Sequence, residues 1–264
     1  VQYSPSRDEA AEAAFKQKHA VLAVKTFETA LALEPERGRI ALRLCDAYFR
    51  TQAWEKAVPF LQKQARLHPD APIFLERLGS ALTRQGKHPA AAKAFDNCVL
   101  LDRRYVAAHR GLAAYYDGEG KDPTKATLHR QQAAFYAWLP RFVDVPYTDK
   151  NFETCQILAG RRGGIRVDPK QREKRIQALI AENSPTALGF LAALCWHHSD
   201  HGPLEDQAFA AIEKQGKTGV PTLIALAENA QTICTIRQSI HALARLQAKE
   251  AFPVMVDALQ RDIR

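Results

Sequence analysis

A histidine-rich run in the C-terminal half is the densest group of potential metal ligands in the sequence. It reads Trp196-His197-His198-Ser199-Asp200-His201. Neighbouring histidines point about 100° apart on a helix, so His198 and His201, or His197 and His201, could share a metal only if another segment supplied further ligands. Gly202 and Pro203 would end a helix at once, and a polar loop at a helix end is the commoner explanation. We therefore predict no metal site here.

Arginines at a constant spacing form a second set of residues suited to chemistry. Arg43 and Arg77 lie 34 residues apart, as do Arg50 and Arg84. If these side chains share a face they could bind carboxylates, because a guanidinium group holds an oxyanion through two parallel hydrogen bonds. This favours an acidic, extended peptide as the partner. The alternative is that the same arginines are solvated or form ion pairs within the protein, where exposed pairs add little stability.

The spacing of 34 extends to apolar residues, and these define the elements that must position the arginines. Small and large residues coincide in register across three copies. The sets are Ala23, Ala57 and Ala91; Phe27, Leu61 and Phe95; Leu44, Leu78 and Leu112; Cys45, Gly79 and Ala113; Tyr48, Leu82 and Tyr116. Small residues let two helices approach closely, and large residues at spacings of three and four fill the groove beside them. The pattern predicts paired amphipathic helices.

Prolines and turn residues predict where these helices end. Pro35 and Pro69 close the second helix of two successive units, since proline cannot continue the hydrogen-bond ladder of a helix. Short turns inside the units are predicted near Gln52-Ala53 and near Gln85-Gly86-Lys87. Each unit is therefore expected to be a helix, a tight turn and a second helix.

The pattern resembles the tetratricopeptide repeat family over about half of the chain. The match is most specific in the second and third copies, where the small, aromatic and proline positions fall at the family's spacing. The first copy has Ala10, Ala11 and Ala14 where larger residues are usual, and a longer turn at Gly118–Pro123 interrupts the fourth. The resemblance implies a solenoid over residues 1–139 with three clear repeats and one degenerate repeat.

In that family the partner binds on the concave surface lined by the first helix of each unit. The resemblance therefore implies a partner-binding face, which comprises Arg39, Arg43, Asp46, Phe49, Arg50, Glu76, Arg77, Arg84 and Arg110. Family members that bind chaperones clamp a C-terminal carboxylate with lysine and asparagine. Here Asp8 and Glu12 occupy the corresponding positions of the first repeat, so that specific activity is not implied.

Residues 140–175 are predicted to be a junction that contains proline, glycine and many basic residues. One short helix near Asn151–Ala159 is the regular element expected there. The basic side chains are Arg161, Arg162, Arg166, Lys170, Arg172, Lys174 and Arg175. Arg161, Arg162 and Arg166 could contact an anionic partner such as a nucleic acid, but the interleaved aromatic residues typical of single-strand binders are missing. A solvated charged face is the commoner explanation.

Helical patterns return over residues 176–264 with a different signature. A helix with proline in its first turn begins near Val220-Pro221, and Phe252-Pro253 repeats that pattern 32 residues later. The second helix of this pair is predicted at Thr235–Leu246. An earlier, weaker pair is predicted at Pro185–Trp196 and Leu204–Gln215. This half looks like HEAT-like helical repeats, so the predicted fold class is all-α: a tetratricopeptide-type superhelix followed by a HEAT-like array.

The composition of the 264 residues agrees with a helical, globular protein. Hydrophobic residues make up 46% and charged residues 25%, and the formal charge of +8 favours anionic partners. No apolar run reaches the roughly 18–20 residues that a transmembrane helix needs. The five cysteines lack the spacing of a metal or redox site, so we expect free, buried thiols, which slightly favour a cytoplasmic location. The start at Val1 indicates a processed or truncated form, which leaves a periplasmic location as the alternative.

The sequence contains no motif of a nucleophile or of a phosphate-binding loop. We therefore predict a non-catalytic scaffold or adaptor, without a cofactor, that binds a protein or peptide in the concave groove of the first half. One alternative is that the segment 161–175 binds nucleic acid or another anionic partner. Another is that the chain is an interaction module cut from a larger enzyme or membrane-associated protein. An uncapped end of a repeat array would also favour self-association.

Overall fold

The computed structural model describes residues 7–162, 165–197, 203–230 and 232–262. In these ranges nearly all regular structure is α-helical, which confirms the predicted all-α repeat fold. The same ranges contain no helix with both the length and the hydropathy that a membrane crossing requires. The chain divides into two compact units, Val1–Ala133 and Ala134–Arg264, called unit 1 and unit 2 below.

Unit 1 is a series of helices in which each packs against the next from α1 to α6, and side chains of α6 and α7 are also in contact. The helices are α1 (Arg7–Leu33), α2 (Gly38–Arg50), α3 (Trp54–Leu67), α4 (Pro72–Arg84), α5 (His88–Leu101), α6 (Val106–Asp117) and α7 (Pro123–Trp138), the last of which ends in unit 2. Helices α2, α4 and α6 begin at residues 38, 72 and 106, so they keep the spacing of 34. They also contact one another in order, and so form one layer of the unit.

The predicted register is confirmed by the core of unit 1. Leu44, Leu78 and Leu112 are at most 8% exposed, and the alanines at 57 and 91 are at most 2% exposed. The small side chains lie where helices approach one another, while the leucines fill the space beside them. The same apolar positions therefore support each successive pair of helices.

Each turn inside a pair contains one residue with positive φ. These residues are Gln52 (54°), Gly86 (73°) and Lys121 (44°). In each turn a backbone N–H donates a hydrogen bond to a carbonyl oxygen in the last turn of the first helix. That carbonyl would otherwise lack a partner, so the bond stabilises the end of the helix. The three bonds are Ala53 N to Tyr48 O (2.9 Å), Lys87 N to Leu82 O (3.0 Å) and Asp122 N to Tyr116 O (3.0 Å). The third turn is one residue longer, which agrees with the longer turn predicted at Gly118–Pro123.

The first copy differs from the predicted pair of helices, because α1 runs without a break over Arg7–Leu33. Gln52 and Gly86 form the turns of the next two copies, and the residue at the same register in the first copy is Lys18, which is helical. This segment contains neither glycine nor proline and is rich in alanine, so high helix propensity favours continuation over a turn.

Unit 2 is built from two interleaved sets of helices. The elements are α8 (Asp149–Leu158), α9 (Pro169–Glu182), α10 (Pro185–His197), α11 (Pro203–Lys214), α12 (Val220–Asn229), α13 (Ile233–Arg245) and α14 (Phe252–Asp262), with single 3₁₀ turns at Gly216–Thr218 and Lys249–Ala251. Helices α9, α11 and α13 contact one another in series, and so do α10, α12 and α14. The unit is therefore also a helical repeat array, and α9 begins before residue 176, inside the predicted junction.

The junction contains a small β-hairpin that was not predicted. Strand β1 (Arg161–Arg162) pairs antiparallel with β2 (Ile165–Arg166), and Gly160 before it adopts a φ of 73°. In the sequence Gly163-Gly164 was interpreted only as a helix break, although two glycines between short strands are also a typical hairpin connection. Those two glycines lie outside the described residues. Helix α8 agrees with the predicted short helix near Asn151–Ala159.

Candidate functional site

A concavity of unit 1 lies on the layer formed by α2, α4 and α6. It has a volume of about 1210 Å³ and is called the larger groove. Its lining includes Phe49 on α2, Glu76, Ser80 and Arg84 on α4, and Arg110 and Tyr115 on α6. The first helix of each pair therefore supplies much of the lining, as the sequence predicts for a concave face.

The ring of Phe95 on α5 is wedged between α4 and α6 at the base of this groove. A Cβ atom added to Gly79 would lie 2.6 Å from Phe95 Cε1, and one added to Gly111 would lie 2.4 Å from Cε2. The two glycines therefore contact opposite edges of one aromatic ring. The rest of the floor is formed by alanines: Ala91, Ala92, Ala107 and Ala114. The floor is consequently smooth and mostly apolar.

Aromatic rings stand at both ends of the larger groove. Phe49 and Trp54 pack edge to face with their ring centroids 5.0 Å apart, and both are half-buried. Tyr115 lies on α6 and packs against Tyr116 with centroids 5.2 Å apart. Half-buried aromatic rings offer a large contact area to a partner at a small cost in side-chain entropy.

Two guanidinium groups, those of Arg84 and Arg110, line the larger groove. Arg84 and Arg110 are exposed, and neither forms an ion pair or a side-chain hydrogen bond with any residue that the structure describes. Glu76, in contrast, is neutralised within the protein: its Oε1 accepts a hydrogen bond from Ser80 Oγ (2.9 Å), and its Oε2 lies 3.6 Å from Arg77 Nε. The two arginines are therefore available to bind an anion.

A smaller concavity of about 470 Å³ lies at the α2 end of the same layer and is called the smaller groove. It contains four arginines around one carboxylate, which are Arg37, Arg39, Arg43, Arg77 and Asp46. Arg37 also pairs with exposed Glu34, whose Oε2 is 2.7 Å from Arg37 Nη1. The concave face is therefore basic here as well, but less apolar than in the larger groove.

Arg77 differs from the other predicted arginines because it connects two repeats. Its Nη2 lies 3.3 Å from Asp46 Oδ1 on α2, and its guanidinium carbon lies 5.4 Å from the centroid of the Phe49 ring. The side chain is 33% exposed, and its buried Nε lacks a hydrogen bond. For Arg77 the geometry agrees with the alternative of an ion pair within the protein, since its side chain is held by neighbours on α2 and α4.

The remaining predicted residues of the concave face divide between the two grooves or lie outside them. Arg39, Arg43 and Asp46 line the smaller groove, while Phe49 and Glu76 line the larger one. Arg50 is exposed and lines neither groove. The side chains of Asp8 and Glu12 lie outside the described residues.

In unit 2 the structure divides the predicted basic segment. Arg172 and Arg175 face inward. Arg172 Nε donates to Leu158 O (3.1 Å), and Arg172 Nη2 lies 3.3 Å from Glu205 Oε1. Arg175 Nε donates to Thr154 Oγ1 (3.0 Å). Arg161 and Arg166 are exposed and lie opposite each other in the hairpin. The side chain of Arg162 lies outside the described residues. Arg172 and Arg175 therefore do not extend the predicted patch of Arg161, Arg162 and Arg166, whose binding of an anionic partner stays a prediction.

The described part of the histidine run is structural. The ring of His197 stacks on Trp138 with centroids 5.0 Å apart, and its Nε2 is hydrogen-bonded to the Trp138 carbonyl. Burial lowers the pKa of His197. His198 and His201 lie outside the described residues. Elsewhere, within the ranges that the structure covers, no three histidine, cysteine or carboxylate residues are grouped as a metal site would need.

The buried cysteines are poor nucleophiles. Burial raises the pKa of the Cys45, Cys98 and Cys155 thiols to about 12, and it also raises that of Cys195. A nucleophilic cysteine needs its thiolate form, which these environments disfavour. All five cysteines are free, and Cys234 is exposed.

A pair of histidines was not singled out in the sequence. His109 on α6 and His129 on α7 lie with their Nδ1 atoms 3.0 Å apart, and His109 is only 1% exposed. The two residues belong to the degenerate fourth copy, in which the longer turn obscures their relation. No spacing motif in the sequence indicates that they meet.

Comparison with known families agrees with the geometry of unit 1. A family model described as tetratricopeptide repeat matches residues 14–75, which include most of α1, all of α2 and α3, and the start of α4. The resemblance is thereby confirmed for this segment, whereas the HEAT-like resemblance of unit 2 stays a prediction. Such helical repeats are typically non-catalytic and generally mediate protein–protein interaction. Residues 14–75 include the lining of the smaller groove apart from Arg77, and they contribute Phe49, Gln52 and Trp54 to the larger groove.

Proposed function

We propose that the protein is a non-catalytic scaffold that binds an acidic, extended segment of a partner protein in the larger groove of unit 1. The observation that carries this proposal is that Arg84 and Arg110 lie on a concave surface with a mostly apolar floor and form no ion pair with any residue that the structure describes. The tetratricopeptide match and the typical function of that family support the same class of activity.

The charge of the groove favours a partner that carries carboxylates. Glu76 is compensated by Arg77 and Ser80, so it does not cancel the charge of the two free arginines. Glu119 lies at the far edge of the groove. A charge-assisted hydrogen bond from arginine to a carboxylate is about twice as strong as a neutral one, and the fork of the guanidinium group selects planar oxyanions.

The rings and the floor of the groove favour a bulky apolar side chain beside the carboxylate. Phe49, Trp54 and Tyr115 offer half-buried ring surface, and the small residues between them allow the backbone of a bound segment to approach closely. Interfaces derive most of their binding energy from a few such desolvated anchors. The expected ligand therefore combines an acidic residue with an aromatic or large aliphatic residue.

The test is a peptide selection followed by charge reversal in the groove. A random peptide library is selected on the whole chain, and the affinity of enriched peptides is measured by fluorescence anisotropy. We expect enriched acidic peptides with a bulky apolar residue, and we expect Arg84→Glu with Arg110→Glu to abolish their binding while the helical circular dichroism is retained.

Arg50→Glu is the matched control, because it makes the same charge change on an exposed arginine outside both grooves. Arg77 is unsuitable for this test since its reversal would also break the contacts with Asp46 and Phe49. Equal loss of binding in Arg50→Glu, or unchanged binding in the double variant, would contradict the proposal.

A further inference from the structure

The smaller groove of unit 1 contains two neighbouring arginines on the same face of α2. Arg39 and Arg43 lie four residues apart, which places their Cβ atoms about 5–6 Å from each other. Both side chains are exposed, and neither forms an ion pair or a side-chain hydrogen bond with any residue that the structure describes. Like charges at this spacing repel each other, so a bound anion would relieve a repulsion that the chain itself leaves in place.

The carboxylate in the lining of this groove is bound elsewhere. Asp46 follows Arg43 by three residues, a spacing at which two side chains of one helix can pair. Its Oδ1 lies instead 3.3 Å from Arg77 Nη2 on α4. Arg37 is paired with Glu34 at 2.7 Å. Of the four arginines among the described lining residues, two therefore have carboxylate partners and two have none.

Half-buried apolar side chains lie beside these charges. They are Phe27, Ile40, Leu42 and Ile73. Apolar neighbours keep water away from a bound ion, and a lower local dielectric strengthens its charge-assisted hydrogen bonds. A concave site of about 470 Å³ also receives a projecting side chain more readily than it receives a flat lipid surface. The surroundings therefore favour a charged side chain of a partner protein.

The charge of the arginine pair matches a phosphate group better than it matches a carboxylate. A phosphorylated side chain carries about −1.5 to −2 charges at about pH 7 and has three strong acceptor oxygens. It can therefore compensate both guanidinium groups and accept hydrogen bonds from each of them. A carboxylate has a single negative charge, and a two-bond contact with one arginine already occupies both of its oxygens.

We propose that the smaller groove binds a phosphorylated side chain of the partner segment, with Arg39 and Arg43 as the residues that hold the phosphate. The proposal names a second recognition element of the same partner, so it rests on the proposed function of the larger groove. Arg77 has a positioning role, because its contact with Asp46 keeps that carboxylate away from the phosphate site.

The two grooves adjoin, so one segment can occupy both. Arg77 lines the smaller groove, and its guanidinium carbon lies 5.4 Å from the ring centroid of Phe49, which lines the larger groove. Glu76, the other carboxylate near Arg77, belongs to the lining of the larger groove. The phosphate site is therefore separated from the larger groove by a compensated contact.

The spacing of the arginines predicts the spacing of the two acidic groups in the ligand. Arg84 follows Arg77 by seven residues on α4, which is about 10 Å along the helix axis. The axes of packed helices such as α2 and α4 are about 8–10 Å apart. An extended chain advances about 3.3 Å per residue. About four residues should therefore separate the phosphorylated residue at Arg43 from an acidic residue at Arg84.

The test uses three peptide libraries that are selected on the whole chain. They share random flanks and carry phosphoserine, glutamate or serine at the central position, and the affinity of enriched peptides is measured by fluorescence anisotropy. We expect the phosphoserine library to give the tightest peptides, with an acidic residue enriched about four positions from the centre. Replacing phosphoserine by glutamate in these peptides should lower their affinity about tenfold or more, since one charge-assisted contact is lost.

Two variants assign this preference to the smaller groove. Arg39→Gln with Arg43→Gln should abolish the preference for phosphoserine over glutamate while the helical circular dichroism is retained. Arg50→Gln is the matched control, because it changes an exposed arginine of the same helix outside both grooves. Equal affinity of the wild type for the two peptide forms would overturn the proposal. So would a preference that persists in the double variant or is lost equally in Arg50→Gln.

The variant Arg84→Gln with Arg110→Gln separates this proposal from that of the larger groove. It should weaken every selected peptide but keep the affinity ratio between the phosphoserine and glutamate forms. If it changes nothing while the ratio persists, the proposed function of the larger groove fails and the phosphate site stands. Acidic peptides that bind through Arg84 and Arg110 without any gain from phosphoserine would refute the phosphate site alone. A single-stranded oligonucleotide that binds more tightly than every phosphopeptide, and is lost in Arg39→Gln with Arg43→Gln, would overturn the proposed occupant.

Discussion

In unit 1, Arg84 and Arg110 line a groove without an ion-pair partner among the described residues, whereas in unit 2 three arginines are bonded to other elements. Arg172 connects α9 with α8 and α11, Arg175 connects α9 with α8, and Arg245 donates to both carboxylate oxygens of Glu213 on α11 (2.6 and 2.7 Å). These three arginines therefore stabilise the repeat array of unit 2, as Arg77 does between α2 and α4 of unit 1, whereas Arg84 and Arg110 are left for a partner.

The contacts between successive repeats explain this difference. In unit 2, α9, α11 and α13 are joined by a polar ladder, defined by the pairs Gln177–Gln207, Asn183–Gln215, Asp206–Gln238 and Glu213–Arg245. In unit 1, α4 and α6 meet on the ring of Phe95, with glycine on both sides. Apolar packing at the base of a groove leaves its charged side chains unpaired, and this makes unit 1 the better candidate for partner binding.

The largest loss of stability is expected when the buried ion pair between Arg172 and Glu205 in unit 2 is broken. Glu205→Ala removes a carboxylate that is 6% exposed and so breaks its ion pair with Arg172, which is 20% exposed. Loss of one member of a buried ion pair destabilises by about 3–5 kcal/mol. Urea unfolding should show this loss, and replacing both residues by leucine should restore much of it. A single variant as stable as the wild type would show that Glu205 is not needed to hold these helices.

A smaller loss of stability is expected when a side chain is added at the base of the larger groove in unit 1. Gly111→Ala places a methyl group 2.4 Å from Phe95 Cε2, and such overpacking destabilises by about 1–3 kcal/mol. Without this contact, alanine in a helix would be more stable than glycine by about 1 kcal/mol. A thermodynamic cycle with Phe95→Leu should therefore show that most of the loss disappears when the ring is removed. If the effects of Gly111→Ala and Phe95→Leu on stability are additive, the close contact between position 111 and the Phe95 ring is contradicted.

An acid titration should reveal the contribution of the exposed end of the unit 2 ladder. The hydrogen bond from Arg245 lowers the pKa of Glu213. Because the folded pKa is the lower one, the stabilisation is complete above the unfolded value of about 4.3 and is lost as the pH falls through the folded value. The melting temperature of Glu213→Gln should thus be slightly lower than that of the wild type at neutral pH and should equal it in acid. A difference in melting temperature that grows as the pH falls would contradict this prediction.

The smallest effect on stability is expected in the groove itself. Arg84→Ala and Arg110→Ala remove exposed side chains without an ion-pair partner in the described structure, so each should change the free energy of unfolding by no more than about 0.5 kcal/mol. Chemical denaturation measures this directly. Peptide affinity should nevertheless fall in both variants. A large loss of stability would mean that these arginines belong with Arg172 and not with a binding surface.

The sequence predicts those features of unit 1 that depend on residues within one repeat. The buried leucines at 44, 78 and 112 and the turns near Gln52 and Gly86 follow from periodicity and local chemistry, and all are confirmed. The continuous helix α1 was missed because the family pattern was extended into a segment without a turn residue. Helix propensity decides in that segment, and the prediction did not weigh it.

The features that were missed depend on contacts between repeats or on insertions. Arg77 pairs with Asp46 of the preceding pair of helices, so repeat position alone could not show that Arg77 and Arg43 differ. His109 and His129 meet because the longer turn sets the register of α7 against α6. Arg172 and Arg175 belong to a basic run in the sequence, and only the packing of α9 shows that they face inward.

The wedge of Phe95 also has a consequence for the thermodynamics of binding. Since opposite edges of one ring contact Gly79 and Gly111, α4 and α6 cannot approach each other without displacing that ring, and they lose one of its contacts if they separate. The width of the groove is thus fixed before a ligand arrives, and little conformational entropy of the receptor is lost on binding. Preorganisation of this kind raises affinity by lowering the cost of association. We therefore expect calorimetry to show that most of the conformational entropy lost on binding is lost by the peptide and little of it by the helices of unit 1.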